Sequence, residues 1–277
     1  MRKSENILKS MISALGVIGT FVTIIWAIFE SILGGFHISH PWLVLFLILA
    51  IAFLYALFAN RRKNRIDVKL SSKVSAAVYF GDIFTEKEVT VIPVNEYFDT
   101  IVDEKIVSSK TLHGMFINRY FPSNKSDLES QIRESLENVE GVLTLRDNSA
   151  WSSNRYPLGT VCQVVAGGKT FFLVALTRFN SNDRAEVTNS EYQRVLCDLF
   201  SYIEQNSQGR NVSIPLIGAG HSGVDLTKQK LLEFLLFSIN MQDQLTLIGG
   251  VNVVLHESVK SEIDLSLTEI LFRSIRS

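Results

Sequence analysis

The chain has 277 residues, 47% of them hydrophobic, and a net charge of −1; this is a globular composition, and the length allows one or two domains. The first 65 residues hold seven basic and two acidic residues, which leaves 20 basic and 26 acidic residues in the rest of the chain. An acidic domain lacks the basic surface that general nucleic-acid binding requires, so nucleic acid is excluded as a general partner.

Two long apolar runs account for the high mean hydropathy of +0.20. The first covers residues 11–33 with Glu30 as its one charged residue, and the second covers residues 42–59 with none. Each run has about the 20 residues that are needed to cross a bilayer core, and the first is too long for the apolar region of a signal peptide. The sequence therefore predicts a transmembrane hairpin of two helices within a domain of residues 1–65.

Basic residues flank this hairpin on both sides, at Arg2, Lys3, Lys9 and in RRKNR (residues 61–65), whereas the connector GGFHISHP has none. Because basic residues concentrate on the cytoplasmic side of a membrane, we expect a multi-pass protein with both termini in the cytoplasm. Two helices are too few to enclose a pore, so any pore in the lipid bilayer would require a homo-oligomer.

The second domain, residues 66–277, mixes strands and helices. Strands are predicted where β-branched apolar runs are bounded by polar turns, and helices where apolar residues recur at helical spacing. Ser126 with Glu129 predicts a capping box for one helix, and Thr188 or Asn189 caps another. The predicted strands are residues 66–70, 76–84, 89–95, 159–166, 170–179, 211–220 and 245–257; the predicted helices are residues 111–121, 127–139, 190–205 and 226–241, followed by a weakly helical tail.

This order of elements predicts an α/β fold with a mixed sheet between helices. Ligands of such sheets bind beyond the carboxyl ends of the strands, where three motifs fall: Gly81-Asp82-Ile83, Asn95 and the glycine loop of residues 218–223. The stretch IPLIGAGHSGVD around that loop has two interpretations. It is either a phosphate-binding loop whose backbone N–H groups approach the ligand at a helix N-terminus, or a plain strand-to-helix turn with Asp225 as N-cap.

In their order and separation, these motifs resemble the macro-domain family, whose members bind ADP-ribose. The family has a GDI motif near its first core strands, an asparagine after the next strand, a glycine-bearing loop before the first helix, and a GxGxxG-like loop late in the chain. The resemblance covers most of residues 66–257 and implies a macro-domain-like fold.

The resemblance also implies roles for individual residues. Asp82 would accept a hydrogen bond from the adenine amine, with Ile83 beside the ring, and the late glycine loop would surround the diphosphate with its backbone N–H groups. Lys110 and His113 either contact phosphate or the distal end of the ligand, or are solvated or capping residues. Phe179 is expected to line the adenine side from its position alone, at the end of the LTRFN strand. The residues expected to bind the ligand are Asp82, Ile83, Asn95, Lys110, His113, Gly114, Phe179, Gly218, Ala219, Gly220, His221, Ser222 and Gly223.

The sequence departs from the family where the distal ribose would bind. Residues 93–114, PVNEYFDTIVDEKIVSSKTLHG, replace the usual asparagine-rich segment and glycine triplet and bring Glu96, Phe98, Asp99 and Asp103 to this region. Hydrolytic members hold the distal ribose and an attacking water tightly, so we expect binding without hydrolysis, and no catalytic residue, metal or cofactor. One hypothesis is that the acidic residues meet a cationic group on the ligand.

An N-terminal hairpin followed by a divergent macro domain with VIPVNEYFDT, LHG and IPLIGAG resembles the membrane-bound macro effectors of bacterial type II Thoeris antiphage systems. In that family, a TIR-domain partner makes histidine-ADP-ribose from NAD, and its binding makes the membrane part assemble and damage the inner membrane. The resemblance implies a sensor and effector in the bacterial inner (cell) membrane. Two alternatives stay open: a membrane-tethered ADP-ribosyl hydrolase, and an anchored interaction module that no longer binds nucleotide.

Overall fold

A computed structural model of the chain describes residues 2–33, 41–59, 61–145, 152–180, 184–220, 224–242 and 245–274. The chain divides into two compact units, Met1–Arg62 and Lys63–Ser277. The first unit contains two helices that pack against each other, α1 (Arg2–Leu33) and α2 (Pro41–Ala59). Their buried residues include Ala14, Ala52 and Ala56, whose small side chains let two helix backbones approach closely.

The prediction of two transmembrane helices at residues 11–33 and 42–59 is wrong. Both runs are helical, but among the residues whose side chains the structure describes, no helix has the length and apolar character that crossing a membrane requires. The predicted location in the bacterial inner membrane, multi-pass with both termini in the cytoplasm, is contradicted by the same finding.

The second unit is built on an eight-stranded sheet. Its strands follow one another in the order β1-β2-β10-β9-β3-β7-β6, and β8 pairs with β7, whereas β4 and β5 form a separate two-stranded sheet. The strands are β1 (Arg65–Lys69), β2 (Ser75–Phe80), β3 (Val89–Asn95), β4 (Val142–Leu143), β5 (Asn154–Arg155), β6 (Val161–Ala166), β7 (Lys169–Phe179), β8 (Ala185–Glu186), β9 (Val212–Pro215) and β10 (Val251–Leu255).

The centre of the large sheet is parallel. Strands β2, β10, β9, β3 and β7 run in one direction, while β1 pairs antiparallel with β2 at one edge and β6 antiparallel with β7 at the other. The carboxyl ends of five strands therefore meet along the same edge of the sheet, which is the place where ligands bind in folds of this kind.

Helices cover both faces of the sheet, and each face has its own core. On β3, the side chains of Val89 and Val91 belong to the core that includes residues of α5, α6 and α7, whereas Ile92 and Val94 belong to the core that includes residues of α3 and α4. The predicted mixed α/β sheet between helices is thus confirmed. The helices of this unit are α3 (Leu112–Tyr120), α4 (Lys125–Ser135), α5 (Asn189–Asn206), α6 (Lys228–Asn240) and α7 (Leu265–Ser274).

Helix starts were predicted with mixed success. The expected capping box of Ser126 and Glu129 is wrong, because α4 begins at Lys125 and Ser126 already lies within its first turn. The Glu129 carboxylate instead accepts a hydrogen bond from the Thr100 hydroxyl. A complete capping box is present at Thr188, the predicted start of α5.

Candidate functional site

A cavity of about 980 Å³ opens at the carboxyl edge of the parallel strands, at the upper end of the roughly 300–1,000 Å³ usual for ligand pockets. All five strands contribute to its wall, either at their last residues or through the segment that follows them, and α3 closes one side. The contributions of the strands are Gly81 and Asp82 after β2, His256 after β10, Leu216 after β9, Asn95 at the end of β3, and Phe179 at the end of β7.

Few titratable side chains face this cavity. On the wall that the structure describes they are Asp82, Lys110, His113, Arg119 and His256, so Asp82 is the one carboxylate among the described wall residues. Lys110 and Arg119 supply positive charge. The wall therefore suits a ligand that has anionic groups and a hydrogen-bond donor for Asp82.

The turn after β2 fixes the Asp82 carboxylate. Asp82 is the N-cap of a short 3₁₀ helix (Ile83–Thr85), and its Oδ1 accepts the backbone N–H of Phe84 at 3.0 Å. Its Oδ2 lies 3.3 Å from Nη1 of Arg119. Asp82 and Ile83, both expected to contact adenine, line the cavity, and each oxygen of Asp82 already has one partner.

The Glu86 carboxylate, at the end of the same turn, fixes the turn through hydrogen bonds. Its Oε1 accepts the Tyr79 hydroxyl at 2.7 Å, and its Oε2 accepts the Ser213 hydroxyl at 2.9 Å and the Asn252 amide at 3.1 Å. Burial, together with the Glu86 carboxylate, raises the pKa of Tyr79, so this phenol stays protonated and keeps donating. The carboxylate thereby ties the Asp82 turn to the two neighbouring strands β9 and β10.

Asn95 lines the cavity but uses its side chain to shape a turn. Its oxygen accepts the backbone N–H groups of Tyr97 and Asp99 at 3.1 and 3.3 Å, and its amide donates to the Asp99 carboxylate at 3.1 Å. This is an Asx turn, which reverses the chain immediately after β3. The structure therefore gives Asn95 a role in positioning the loop that follows β3.

His113 is buried in the wall and uncharged at neutral pH. Only 8% of the residue is exposed, and burial lowers the pKa of its ring to about 4, against the opposing effect of a hydrogen bond with the Asp99 backbone. A neutral imidazole supplies no positive charge, so its predicted contact with phosphate would have to be a hydrogen bond. Gly114 lies behind the described wall, where it lets α3 approach the backbone of Ser108.

The late glycine loop is held in a bent form by the core beneath it. Gly218 has φ +84°, a conformation that favours glycine, and a Cβ atom there would lie 3.2 Å from the Tyr192 ring. Gly218, Ala219 and Gly220, which were expected to bind the ligand, line the cavity. His221, Ser222 and Gly223 lie outside the described residues. The helix after the loop, α6, is capped by Thr227, so the expectation that Asp225 is the N-cap is wrong.

The Tyr192→Phe variant is expected to lose about 1–2 kcal/mol of unfolding free energy, because the buried Tyr192 hydroxyl donates to the Ile217 carbonyl at 2.9 Å beneath the glycine loop. Urea denaturation measures this loss. Tyr202→Phe is the matched control, since the Tyr202 hydroxyl has no hydrogen-bond partner among the described residues. Equal losses in the two variants would contradict the proposed support of the loop.

The far end of β7 closes the cavity with an aromatic side chain. The Phe179 ring stacks on Tyr97 with centres 6.2 Å apart, and the Phe179 N–H donates to the buried Glu96 carboxylate at 3.1 Å. Lys110, which precedes α3, is exposed and borders the cavity. Both residues were expected to contact the ligand, and both line the cavity.

The acidic residues of the loop after β3 do not face the cavity. The Asp99 carboxylate is buried against Asn95, and Asp103 accepts the backbone N–H groups of Lys105 and Ile106 at 2.9 and 2.7 Å. These N–H groups lower the pKa of Asp103 even though partial burial opposes them. Neither residue is among the described residues that line the cavity, and both carboxylates stabilise the loop itself, so the structure adds no support to the hypothesis that they meet a cationic ligand group.

Sequence reasoning missed several wall residues. Arg119 lies one helical turn after Met115 on α3, and both border the cavity, so the helical periodicity that begins at Leu112 was the available signal. His256 and Ser258 follow β10, and the rule that ligands bind beyond strand ends applies to that strand too.

Comparison with known proteins gives a family match over residues 76–256, to the family described as Thoeris protein ThsA, Macro domain. Thoeris protein ThsA of Bacillus amyloliquefaciens (strain Y2) is 28% identical over 200 residues, which cover 70% of this chain and 64% of that protein. The chain thus spans about 64% of the length of this curated relative.

Solved structures of the Oceanobacillus iheyensis macrodomain are similar to this chain at 14% sequence identity. A mutant with ADPR gives a TM-score of 0.51 and covers 75% of this chain and 98% of its own. The form with ADP gives a TM-score of 0.51, and the match covers 76% of this chain and 97% of that chain. A second mutant gives a TM-score of 0.53, and the match covers 76% of this chain and 100% of that chain. At this identity the likeness shows the fold alone, which is that of a macro domain.

Proposed function

We propose a function for this chain from one premise: it belongs to the Thoeris protein ThsA macro-domain family. The cavity binds an ADP-ribose-derived signal molecule, and the protein acts as a sensor and effector in antiphage defence. One observation carries this proposal. A single cavity at the carboxyl edge of the sheet combines a carboxylate, two cationic side chains and a glycine loop.

The chemistry of that wall matches the parts of an adenine nucleotide. The exocyclic amine of adenine donates to Asp82, and the diphosphate meets Lys110 together with the backbone of Gly218–Gly220. Glycines permit this close approach of backbone N–H groups to phosphate. The Oceanobacillus iheyensis macrodomain, which shares the fold, has been solved with ADPR and with ADP.

We infer binding without hydrolysis. Asn95, the residue that matches the asparagine of the family, is engaged in its own turn through both polar atoms of its side chain. His113 has a pKa of about 4, which makes it a weak proton acceptor at neutral pH. The wall residues near the distal end are thus arranged for packing and hydrogen bonding.

The source of the ligand and the response to it complete the proposal. Family membership supports a TIR-domain synthase as the partner, histidine-ADP-ribose as the signal, and a change in homo-oligomer assembly as the response. Binding can shift assembly only as far as the ligand distinguishes the two assembly states in free energy. Light scattering on the full chain, with and without ligand, measures the change of assembly directly.

The Asp82→Asn variant is expected to bind ADP-ribose at least tenfold more weakly than the unchanged chain. Asparagine keeps an oxygen for the Phe84 N–H, so the turn persists, but it removes the charge that accepts the base amine. Calorimetric titration of the full chain with ADP-ribose, histidine-ADP-ribose and NAD measures the affinities, and chromatography of the same samples detects any product.

Asp67→Asn serves as the matched control, because Asp67 is an exposed carboxylate on β1 outside the cavity wall. Unchanged affinity in Asp82→Asn would remove the base-recognition role. Release of free ADP-ribose from the adduct would replace the sensor proposal with a hydrolase. No binding of any of the three ligands would leave an interaction module with a macro fold.

A further inference from the structure

Arg119 lies in the last turn of α3 and borders the cavity beside the Asp82 turn. Its guanidinium carbon is 5.4 Å from the centre of the Phe84 ring, and its Nη1 is 3.3 Å from Oδ2 of Asp82. Two different contacts therefore hold one planar cation against a short turn that the sequence analysis assigned to adenine.

These contacts orient the Arg119 side chain more than they stabilise the fold. The side chains of Arg119 and Asp82 are 50% and 51% exposed, and exposed ion pairs contribute little to stability. Phe84, in contrast, is buried, and the guanidinium carbon lies over its ring. The half-exposed guanidinium also borders the cavity, so a further planar group can reach it.

The support beneath Arg119 is fixed from several sides. The Phe84 carbonyl accepts the Lys169 amine at 2.8 Å, the Phe84 N–H is bound by Asp82, and the Phe84 ring packs against Tyr120 with centres 6.2 Å apart. A planar cation on a rigid support loses little conformational freedom when a base stacks on it.

We propose that Arg119 determines ligand specificity: its guanidinium is the stacking platform for the planar base of the ligand and lies between that base and the Phe84 ring. This inference rests on the proposed binding of an ADP-ribose-type ligand in the cavity. A carboxylate oxygen accepts more than one hydrogen bond, so Asp82 serves the guanidinium and the base amine together. Stacking then selects a flat base, and Asp82 selects the base that carries an amine.

Arg119→Met is expected to weaken binding of ADP-ribose about tenfold, since methionine keeps some of the length but loses the plane and the charge. Arg119→Lys is expected to weaken the binding of ADP-ribose by the same factor, because an ammonium is a point charge without a stacking face. In IDP-ribose, a carbonyl replaces the amine of the base. Arg119→Met should weaken the binding of IDP-ribose by the same factor as that of ADP-ribose, because stacking does not depend on that amine. Calorimetry on the full chain measures all of these affinities.

Arg133→Met is the matched control, because Arg133 is an exposed arginine in the last turn of α4 and does not line the cavity. The proposal is overturned if Arg119→Lys binds as tightly as the unchanged chain, which would indicate a charge contact. It is also overturned if the loss is confined to ADP-ribose, which would mean that Arg119 acts only through Asp82, or if Arg119→Met binds more tightly. Failure of the unchanged chain to bind ADP-ribose would instead refute the proposed function, and this inference with it.

Discussion

Replacing Gly114 with alanine is expected to lower the free energy of unfolding by about 3 kcal/mol or more and to abolish ligand binding in the cavity. A Cβ atom at this position would lie 2.2 Å from the carbonyl oxygen of Ser108 and 2.8 Å from its carbonyl carbon. Both are backbone atoms, so no side-chain rotation relieves the clash. The first turn of α3 would have to move away from the loop that precedes it.

The same movement would disturb the cavity wall. The Thr111 hydroxyl donates to the Ser108 carbonyl at 2.7 Å and accepts the Gly114 N–H at 3.1 Å, so it joins the loop to the helix start. Lys110 and His113 lie close to these hydrogen bonds in the chain, and both border the cavity. A displaced helix start therefore separates the wall residues that the proposed ligand would contact.

Urea denaturation of Gly114→Ala and Gly81→Ala tests this expectation. Gly81 also borders the cavity, but a Cβ atom there would lie 3.7 Å from its nearest neighbours, which is ordinary contact. Gly81→Ala should therefore change the free energy of unfolding by less than about 1 kcal/mol. Equal stability of the two variants would show that α3 has room to shift without cost.

The parts of the fold that were predictable from sequence are those where one local signal dominates. The strand predicted at residues 89–95 is β3 (Val89–Asn95), because a continuous β-branched run ends in an asparagine that turns the chain. Thr188 begins α5 because a capping threonine stands three residues before a glutamate. Both signals are contained within a few residues, so no tertiary contact can override them easily.

The hydrogen-bond partners of polar side chains were less predictable, because they depend on which backbone N–H groups the loop leaves unpaired. Asp99 and Asp103 looked like ligand contacts in the sequence, but Asn95 and the backbone of Lys105 and Ile106 take their carboxylates. Arg119 was missed for the opposite reason. Helical periodicity places Arg119 on the same face as Met115, but which face of α3 borders the cavity follows from how the helix packs on the sheet.

The stability of the protein is expected to fall by about 3 kcal/mol between pH 7 and pH 4 through His113 alone. The pKa of His113 drops from 6.5 in the unfolded chain to about 4 in the folded chain, mainly because burial disfavours the charged ring. Between these pH values the unfolded chain binds a proton that the folded chain does not. Its contribution is therefore fully present above pH 6.5 and is lost as the pH falls towards 4, with about 2 kcal/mol gone by pH 5.

Carboxylates such as Asp103, Glu191 and Glu269 also lose stabilising interactions in acid, because their pKa values are lowered in the folded chain. These carboxylates begin to destabilise the folded chain only at pH values near the usual carboxyl pKa, which is below the pH range in which His113 acts. Urea denaturation of the unchanged chain and of His113→Gln from pH 7 to pH 4.5 separates the two contributions. His113→Gln should be nearly independent of pH in this window, whereas parallel profiles would mean that His113 is accessible to protons in the folded chain. A profile of His113→Gln that is flat over this range, beside a falling profile of the unchanged chain, would establish a neutral imidazole on the cavity wall at pH 7, so that His113 offers an anionic ligand a hydrogen bond and no positive charge.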